Sequence, residues 1–462
     1  MIPTPISRRP SRCERGSMKR WFKDGVFRAV LRNAGYLGST KLLGAGLGLI
    51  ALVCAGHGLD PATFGVLAII HTYALGAGAI TKFQSWQLIL RYGAPALQRG
   101  DRRTTRDAIS LAFGLDIASG LTGMALAMLA LPFLAGRFGI DGDHLPLALI
   151  YCTLVPTMAA ATPTGVLRLL DRFDLLAGQQ IVTPLLRATG AAIAFFAQIG
   201  FPGFVIAWYV ADITGDLILW FLTVRELRRR AILDALKPGL LGTARRLPEA
   251  WSFVWTTNIS TSLSAAWGPI SNLIVAGVLG PVAAGLYKIA GTLLDSAGKP
   301  ADLLTKGFYP EIMRLDPSSK HPWRLAVRTG LLAGGIGLMV VLLILVGGKP
   351  LIGLAFGKKY LDTYGLLSLM MFALMVSMAS FPLQSLLYMV GRQRAALAAQ
   401  AAATVVYLAM LALLSRWFGL AGAGSAYVLG NAALALFMLV PVLASYHGRR
   451  RHAPAVGPQQ AG

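Results

Sequence analysis

Lys288, Asp295, Lys299, Asp302 and Lys306, spaced 7, 4, 3 and 4 apart, interrupt a stretch that is otherwise apolar. On a helix they fall within about 60° of one another and form a single stripe about 27 Å long. A charge at mid-bilayer costs about 2.5–3.5 kcal/mol on insertion scales, so such a stripe needs water or a counter-charge beside it. The lower three could pair with one another at an exposed helix end. Lys288 and Asp295 lie too deep for that. Lys41, Lys82 and Arg187 are further cations inside apolar stretches, and Asp116, Asp212 and Asp216 are further carboxylates. The cations suit the binding of an anion. The carboxylates, Asp295 included, suit coupling to protons or sodium. Ion pairs between helices would account for the same residues without a ligand. Arg187 has no acid within a turn, so it requires a carboxylate on another helix or an anionic ligand; Asp212 and Asp216, four apart, share one face.

Around these charges lie polar and small residues at helical spacing: Asn258, Ser262, Ala265, Pro269 and Asn272 in one stretch, and His71, Gly78, Lys82 and Ser85 in another. Such residues also form ordinary helix-packing seams. Trp86, Trp208, Tyr209, Trp255, Trp267 and Tyr309 could stack on sugar rings, but residues of this type also mark the membrane interface. Asp141-Gly142-Asp143 is read as a turn, not a metal-binding acidic pair. Gly44-x-Gly46-x-Gly48 lies inside an apolar stretch with no Walker lysine and is read as helix packing.

These residues have to be positioned by membrane-spanning helices. The 462 residues are 55% hydrophobic and 14% charged, with mean hydropathy +0.61, too apolar for a soluble chain of this size. A span takes roughly 20 apolar residues. Twelve such stretches are expected at 34–56, 62–83, 108–134, 146–168, 174–198, 203–224, 252–278, 282–305, 325–346, 364–389, 394–415 and 421–444. The fold class is therefore all-α and polytopic, about twelve transmembrane helices in two six-helix pseudo-symmetric bundles.

The formal charge of +23 does not point to nucleic acid, because the lysines and arginines cluster in alternate connections. By the positive-inside rule this places both termini in the cytoplasm. Lys349, Lys358 and Lys359 are the exception, falling in a connection expected outside. The chain divides into a basic cytoplasmic segment 1–33, a first bundle 34–225, a basic linker 226–250, a second bundle 251–446 and a tail 447–462. The N-terminal segment has no short apolar core followed by a small-residue cleavage site, so the first span is expected to be its own uncleaved signal. Cys13, Cys54 and Cys152 lack metal-ligand spacing.

The two bundles echo one another. Leu59-Asp60-Pro61-x-x-x-Gly65 returns as Leu279-Gly280-Pro281-x-x-x-Gly285, displaced by 220 residues. Gly200-x-x-Gly203-x-x-x-Ala207 returns as Gly419-x-x-Gly422-x-x-x-Ala426, displaced by 219, and Arg172 with Gln180 as Arg392 with Gln400. An even number of spans per repeat makes the repeats parallel, with the transported species expected between them.

With Leu279-Gly280-Pro281-x-x-x-Gly285-Leu286-Tyr287 after the seventh span and Gly419-Leu420-x-Gly422-x-x-x-Ala426 opening the last, the chain resembles the Wzx-like polysaccharide flippases of the multidrug/oligosaccharidyl-lipid/polysaccharide (MOP) exporter superfamily. The likeness covers roughly 30–446, and Asp60 replaces the glycine expected in the first copy. The resemblance implies a flippase in the bacterial inner membrane that carries an undecaprenyl-pyrophosphate oligosaccharide to the outer leaflet for surface polysaccharide such as lipopolysaccharide. Lys41, Lys82, Arg187, Lys288, Lys299 and Lys306 would compensate the pyrophosphate. No enzymatic activity and no cofactor are expected; coupling would be to a proton or sodium gradient. The implied partners are the lipid-linked oligosaccharide, membrane lipids and polysaccharide assembly machinery. Two other readings stand beside it: a cation-coupled multidrug exporter of the same superfamily, and a membrane glycan polymerase or ligase.

Overall fold

The computed structural model describes residues 25–158, 160–232, 236–313, 315 and 319–452. Side chains are described except at 25–39, 241, 256–257, 259–266, 300–307, 309–311 and 448–452. Asp302, Lys306, Ser262, Ala265 and Tyr309 lie outside the described side chains.

Helices α1 (Gly25–Gly58) and α2 (Pro61–Thr81) are joined by a two-residue turn. Asp60 caps α2, its Oδ2 accepting from the backbone N–H groups of Ala62 and Thr63 at 3.0 Å each, with proline at the first helical position. The residue that departs from the expected glycine thus satisfies donors that a helix start leaves orphaned. The second span breaks at 82–84 and continues as α3 over 85–98, with a π-helical turn at Ile89–Gly93. Next comes α4 (Arg102–Phe138). The fourth span, α5 (Leu145–Leu169), is also broken, with non-helical backbone at Ala160. Helices α6 (Phe173–Phe196) and α7 (Phe201–Arg229) complete the first half.

A short helix α8 (Leu241–Ala244) interrupts the linker. The second half contains α9 (Ala250–Leu279), α10 (Pro281–Met313), α11 (His321–Phe356), α12 (Thr363–Met389) and α13 (Gln393–His452). The last is two spans separated by a kink at Gly419, whose φ of 61° and ψ of −139° are non-helical. Its counterpart Gly200 has φ 76° at the start of α7. Only a residue without Cβ enters this region freely, which is why the repeat keeps glycine there. Each expected span falls on helix among the described residues, with breaks inside the second at 82–83 and the fourth at 160. Lys349, expected in a connection, lies inside α11.

The halves meet where α2 packs on α9 and α10. Of the most apolar window of the second span, 72% is buried, against 22% for α11, so the second span is central and α11 faces lipid. Close to the α1–α2 turn the two repeat motifs touch one another. A Cβ on Gly65 would collide with the carbonyl of Pro281, and one on Gly285 would come within 3.1 Å of Gly65 Cα. Phe64 packs edge-on against Tyr360 with ring centroids 5.6 Å apart, and Lys359 Nζ donates to the Leu59 carbonyl at 2.5 Å. One of the lysines that breaks the charge rule therefore ties the halves together at the end opposite the basic clusters. Further along the seam a Cβ on Gly76 would touch Pro269 at 3.4 Å.

Gly65→Ala should destabilise the folded protein by about 1–3 kcal/mol, the usual cost of overpacking against unyielding backbone. Gly46→Ala is the control, because a Cβ there meets nothing within 4 Å. Thermal unfolding of the two purified variants beside wild type checks the difference; equal melting temperatures would contradict the close approach.

Candidate functional site

The interior of the first half holds an ion and hydrogen-bond network centred on Asp212, which is 7% exposed. Arg187, one helix away on α6, forms an ion pair with Asp212 Oδ1. Tyr151 Oη on α5 donates to Asp212 Oδ2 at 3.2 Å, and His71 Nδ1 on α2 lies 2.9 Å from Tyr151 Oη and 3.6 Å from Asp212 Oδ2. Tyr151 has one proton and gives it to the carboxylate, so it accepts from His71, which fixes that ring as the Nδ1–H tautomer. Trp208 closes the cluster, edge-on to His71 at 5.0 Å and beneath the Arg187 guanidinium at 5.3 Å. Four helices thus converge on one carboxylate. Arg187 keeps 22% of its side chain exposed, and its Nε is buried without a hydrogen-bond partner. The pair consumes part of the guanidinium and leaves a donor over.

Across the seam, Lys288 on α10 is half-buried and makes no ion pair or side-chain hydrogen bond among the described residues. It lies within electrostatic range of Arg187, Asp212 and Asp295. Asp295 and Lys299 continue the stripe and line a cavity of about 200 Å³ with Tyr427 and Asn431. The stripe therefore begins at the seam and runs down a polar cleft of the second half. Lys41, on α1, is exposed and engaged in an interaction of its own.

Lys82 stands at the break in the second span, within electrostatic range of Asp116 and Asp216. Asp216 is one turn below Asp212 on α7. Asp116, 3% exposed, accepts from the Ser85 hydroxyl at 2.6 Å and from the Thr162 backbone N–H at 2.7 Å. It therefore joins the two interrupted spans, satisfying a donor freed where α5 breaks and the residue that opens α3. Irregular backbone at membrane depth survives only where protein groups or a water-lined cleft complete its hydrogen bonds.

The second half carries a matching but uncharged cluster. Tyr407 stands 220 residues after Arg187, Tyr427 stands 219 after Trp208, and Asn431 stands 219 after Asp212. Tyr407 Oη donates to Ser271 Oγ at 2.8 Å and lies 2.9 Å from Tyr287 Oη, with Trp267 packed against it at 4.6 Å. Charge in one repeat corresponds to hydroxyl and amide in the other. The roles of Tyr151, Ser271, Tyr287 and Tyr407 are not apparent from the sequence pattern alone, although the repeat displacement, applied to Arg187 and Asp212, leads to Tyr407 and Asn431.

The comparisons with known proteins agree with this architecture. A family model described as polysaccharide biosynthesis protein matches residues 30–299. A relative 51% identical over 351 residues, Inner membrane protein YghQ of Escherichia coli (strain K12), covers 76% of this chain and 99% of its own. The chain belongs to the polysaccharide biosynthesis family. Solved structures similar to this family member include the inward-facing conformation of a multidrug resistance MATE family transporter of the MOP superfamily. It superposes with a TM-score of 0.67 at 14% identity, covering 88% of this chain and 96% of the other. A mutant of the Vibrio cholerae MATE transporter VcmN gives 0.56 at 18% identity, over 92% and 99% of the two chains. At such identities the likeness establishes the fold alone, an all-α polytopic arrangement in two bundles like that of the MATE structures. The protein is a multi-pass membrane protein of this family.

Asp212→Ala leaves the Arg187 charge buried and unpaired and should cost about 3–5 kcal/mol of stability. The double replacement Arg187→Leu with Asp212→Leu should recover at least half of that loss in reversible unfolding; equal destabilisation by the single and double variants would show that the pair is not coupled. Asp116→Ala should cost about 1–2 kcal/mol through the lost cap. Asp116→Asn, whose amide oxygen still accepts from Thr162, should remain near wild type in the same measurement.

Proposed function

We propose that the protein flips a lipid-linked oligosaccharide, an undecaprenyl-pyrophosphate repeat unit, from the inner to the outer leaflet of the bacterial inner membrane by alternating access. One observation carries the reading: the spare donor of Arg187 in one half and the ammonium of Lys288 in the other, which has no ion pair among the described residues, lie in electrostatic range across the seam. Two cations held apart in a poorly hydrated seam repel each other and attract a multivalent anion. A pyrophosphate has the charge and oxygen count to bridge them. The Tyr287, Tyr407 and Ser271 hydroxyls beside Trp267 supply the polar and stacking surface that sugar rings require.

Lys82 and Lys299 extend the cationic path, and Lys41 and Lys306 belong to the same proposed set. The prenyl tail stays in lipid while the head group passes between the halves. The clusters of lysine and arginine put both termini in the cytoplasm. The Gly65–Pro281 contact and the Lys359–Leu59 hydrogen bond then close the outer face, and the structure is poised to load from the cytoplasm. His71, Tyr151 and Asp212 form a chain along which a proton can pass, so protonation of Asp212 would loosen Arg187 for the cargo; Asp216, Asp295 and Asp116 are the remaining coupling candidates. The protein acts as a transporter and not an enzyme, within the machinery that assembles lipopolysaccharide or a similar surface polysaccharide.

A second reading has one observation in its favour, the MATE fold of the structural neighbours. A cation-coupled multidrug exporter would, however, bring positive drugs against Lys288, Lys82 and Lys299, which have no compensating ion pair among the described residues.

The test is translocation in liposomes loaded with a fluorescent undecaprenyl-pyrophosphate sugar. Lys288→Ala and Arg187→Ala should each slow translocation at least tenfold, while Lys358→Ala leaves it unchanged. Equal rates for all variants would reject the cationic path, and transport of a fluorescent organic cation in place of the lipid would favour the exporter.

A further inference from the structure

The back of the second half contains a cavity of about 1250 Å³ between α11, α12 and the last span of α13, beyond the 300–1,000 Å³ usual for small-molecule pockets. Its walls are apolar, with Leu331, Leu338 and Leu439 along its length, and it opens sideways where Leu331 is 72% exposed. One end carries Lys320, Arg324 and Arg328, at i, i+4 and i+8 on one helix face. None of the three forms an ion pair among the described residues.

The first half shows what the same place looks like when filled. There the linker lies on α4: Ser110 Oγ donates to the Lys237 carbonyl at 2.5 Å, Gly239 N donates back to the Ser110 carbonyl at 3.1 Å, and Gly114 leaves room for Gly239. Arg246 is held by Asp107 through bonds of 2.8 and 2.9 Å. Displaced by 220 residues, Ser110 and Gly114 become Gly330 and Gly334, both on the wall of the open cavity. Asp107 becomes Val327, while Thr104 and Ala108 become Arg324 and Arg328. The acidic anchor for a basic peptide is gone and cations have taken the neighbouring positions. The sequence at the end of α13, Arg449, Arg450 and Arg451, has the same sign of charge as this mouth.

We propose that the cavity binds one anionic phospholipid of the cytoplasmic leaflet, its phosphate on Lys320, Arg324 and Arg328 and its acyl chains along the leucine walls. The occupant is a bilayer lipid, because the cavity lies on the lipid-facing side of α11 and shares no residue with the seam that holds Arg187 and Lys288. Basic groups between spans on the cytoplasmic side select anionic head groups in this way. The proposal stands apart from the cargo reading, and flippase activity is not its readout.

The test is native mass spectrometry of the full-length protein titrated with phosphatidylglycerol or phosphatidylcholine. Wild type should retain phosphatidylglycerol in preference, and the double variant Arg324→Gln with Arg328→Gln should weaken its binding about 30-fold, two basic contributions of roughly fivefold each. Phosphatidylcholine binding should not change with that variant. Gly335→Phe, which adds a ring to open space on the wall without touching the cations, should reduce retention of both lipids. Equal retention of the two lipids by wild type, or undiminished phosphatidylglycerol binding by the double variant, would overturn the proposal. Displacement of phosphatidylglycerol by equimolar undecaprenyl phosphate would overturn it in favour of the carrier lipid.

Discussion

Hydrocarbon cannot solvate Asp212, and the first half is organised around that fact. A carboxylate of this kind survives at membrane depth only with a counter-charge and with its lone pairs occupied. Arg187 supplies the charge, Tyr151 and His71 the remaining polar contacts, and Trp208 the apolar lid. Because these groups come from α2, α5, α6 and α7, one carboxylate fixes the relative placement of four helices. The same demand acts at Asp116, which holds the broken second and fourth spans together by accepting from Ser85 and Thr162. A charge that costs free energy to bury contributes position in return, and the Asp212 arrangement leaves Arg187 Nε with bonding capacity to spare.

The two bundles are similar in fold, and their interiors differ in chemistry. The ion pair of the first half became the tyrosine and asparagine cluster of the second, and the linker-covered face of α4 became an open, cation-rimmed cavity on α11. The helix starts stayed alike. Pro61 and Pro281 each open the second helix of a repeat, and Gly65 and Gly285 meet each other where the halves cross. Glycine is kept at both because backbone meets backbone there, so the motif that reveals the repeat is also the surface on which the two copies join.

The fold was legible because hydrophobic length is nearly sufficient to place a transmembrane helix, and the turns carry Asp60, Gly200, Gly280 and Gly419 where helices must start or stop. The breaks in α2–α3 and α5 were not, since neither interruption changes the mean apolarity of its span. For the site, the isolation of Arg187 in sequence correctly demands a partner on another helix, and Asp212 is that partner. The demand does not identify which carboxylate answers it, because that depends on how α6 and α7 rotate against each other. Tyr151 and Tyr407 are not legible in the sequence, because a tyrosine in a span is compatible with packing or interface and only the fold sets its hydroxyl beside a partner. Lys359 read as an exception to the charge rule until its bond to the Leu59 carbonyl gave it a role.

The claim that joins these observations is that an anionic head group sits between Arg187 and Lys288. Solid-state NMR with the phosphorus of bound undecaprenyl pyrophosphate observed and lysine side-chain nitrogens labelled with ¹⁵N measures that contact directly. The account predicts dephasing of the phosphorus signal by lysine nitrogen in wild type and its loss in Lys288→Met. Dephasing that persists unchanged in Lys288→Met, or none in wild type with the lipid bound, would contradict it.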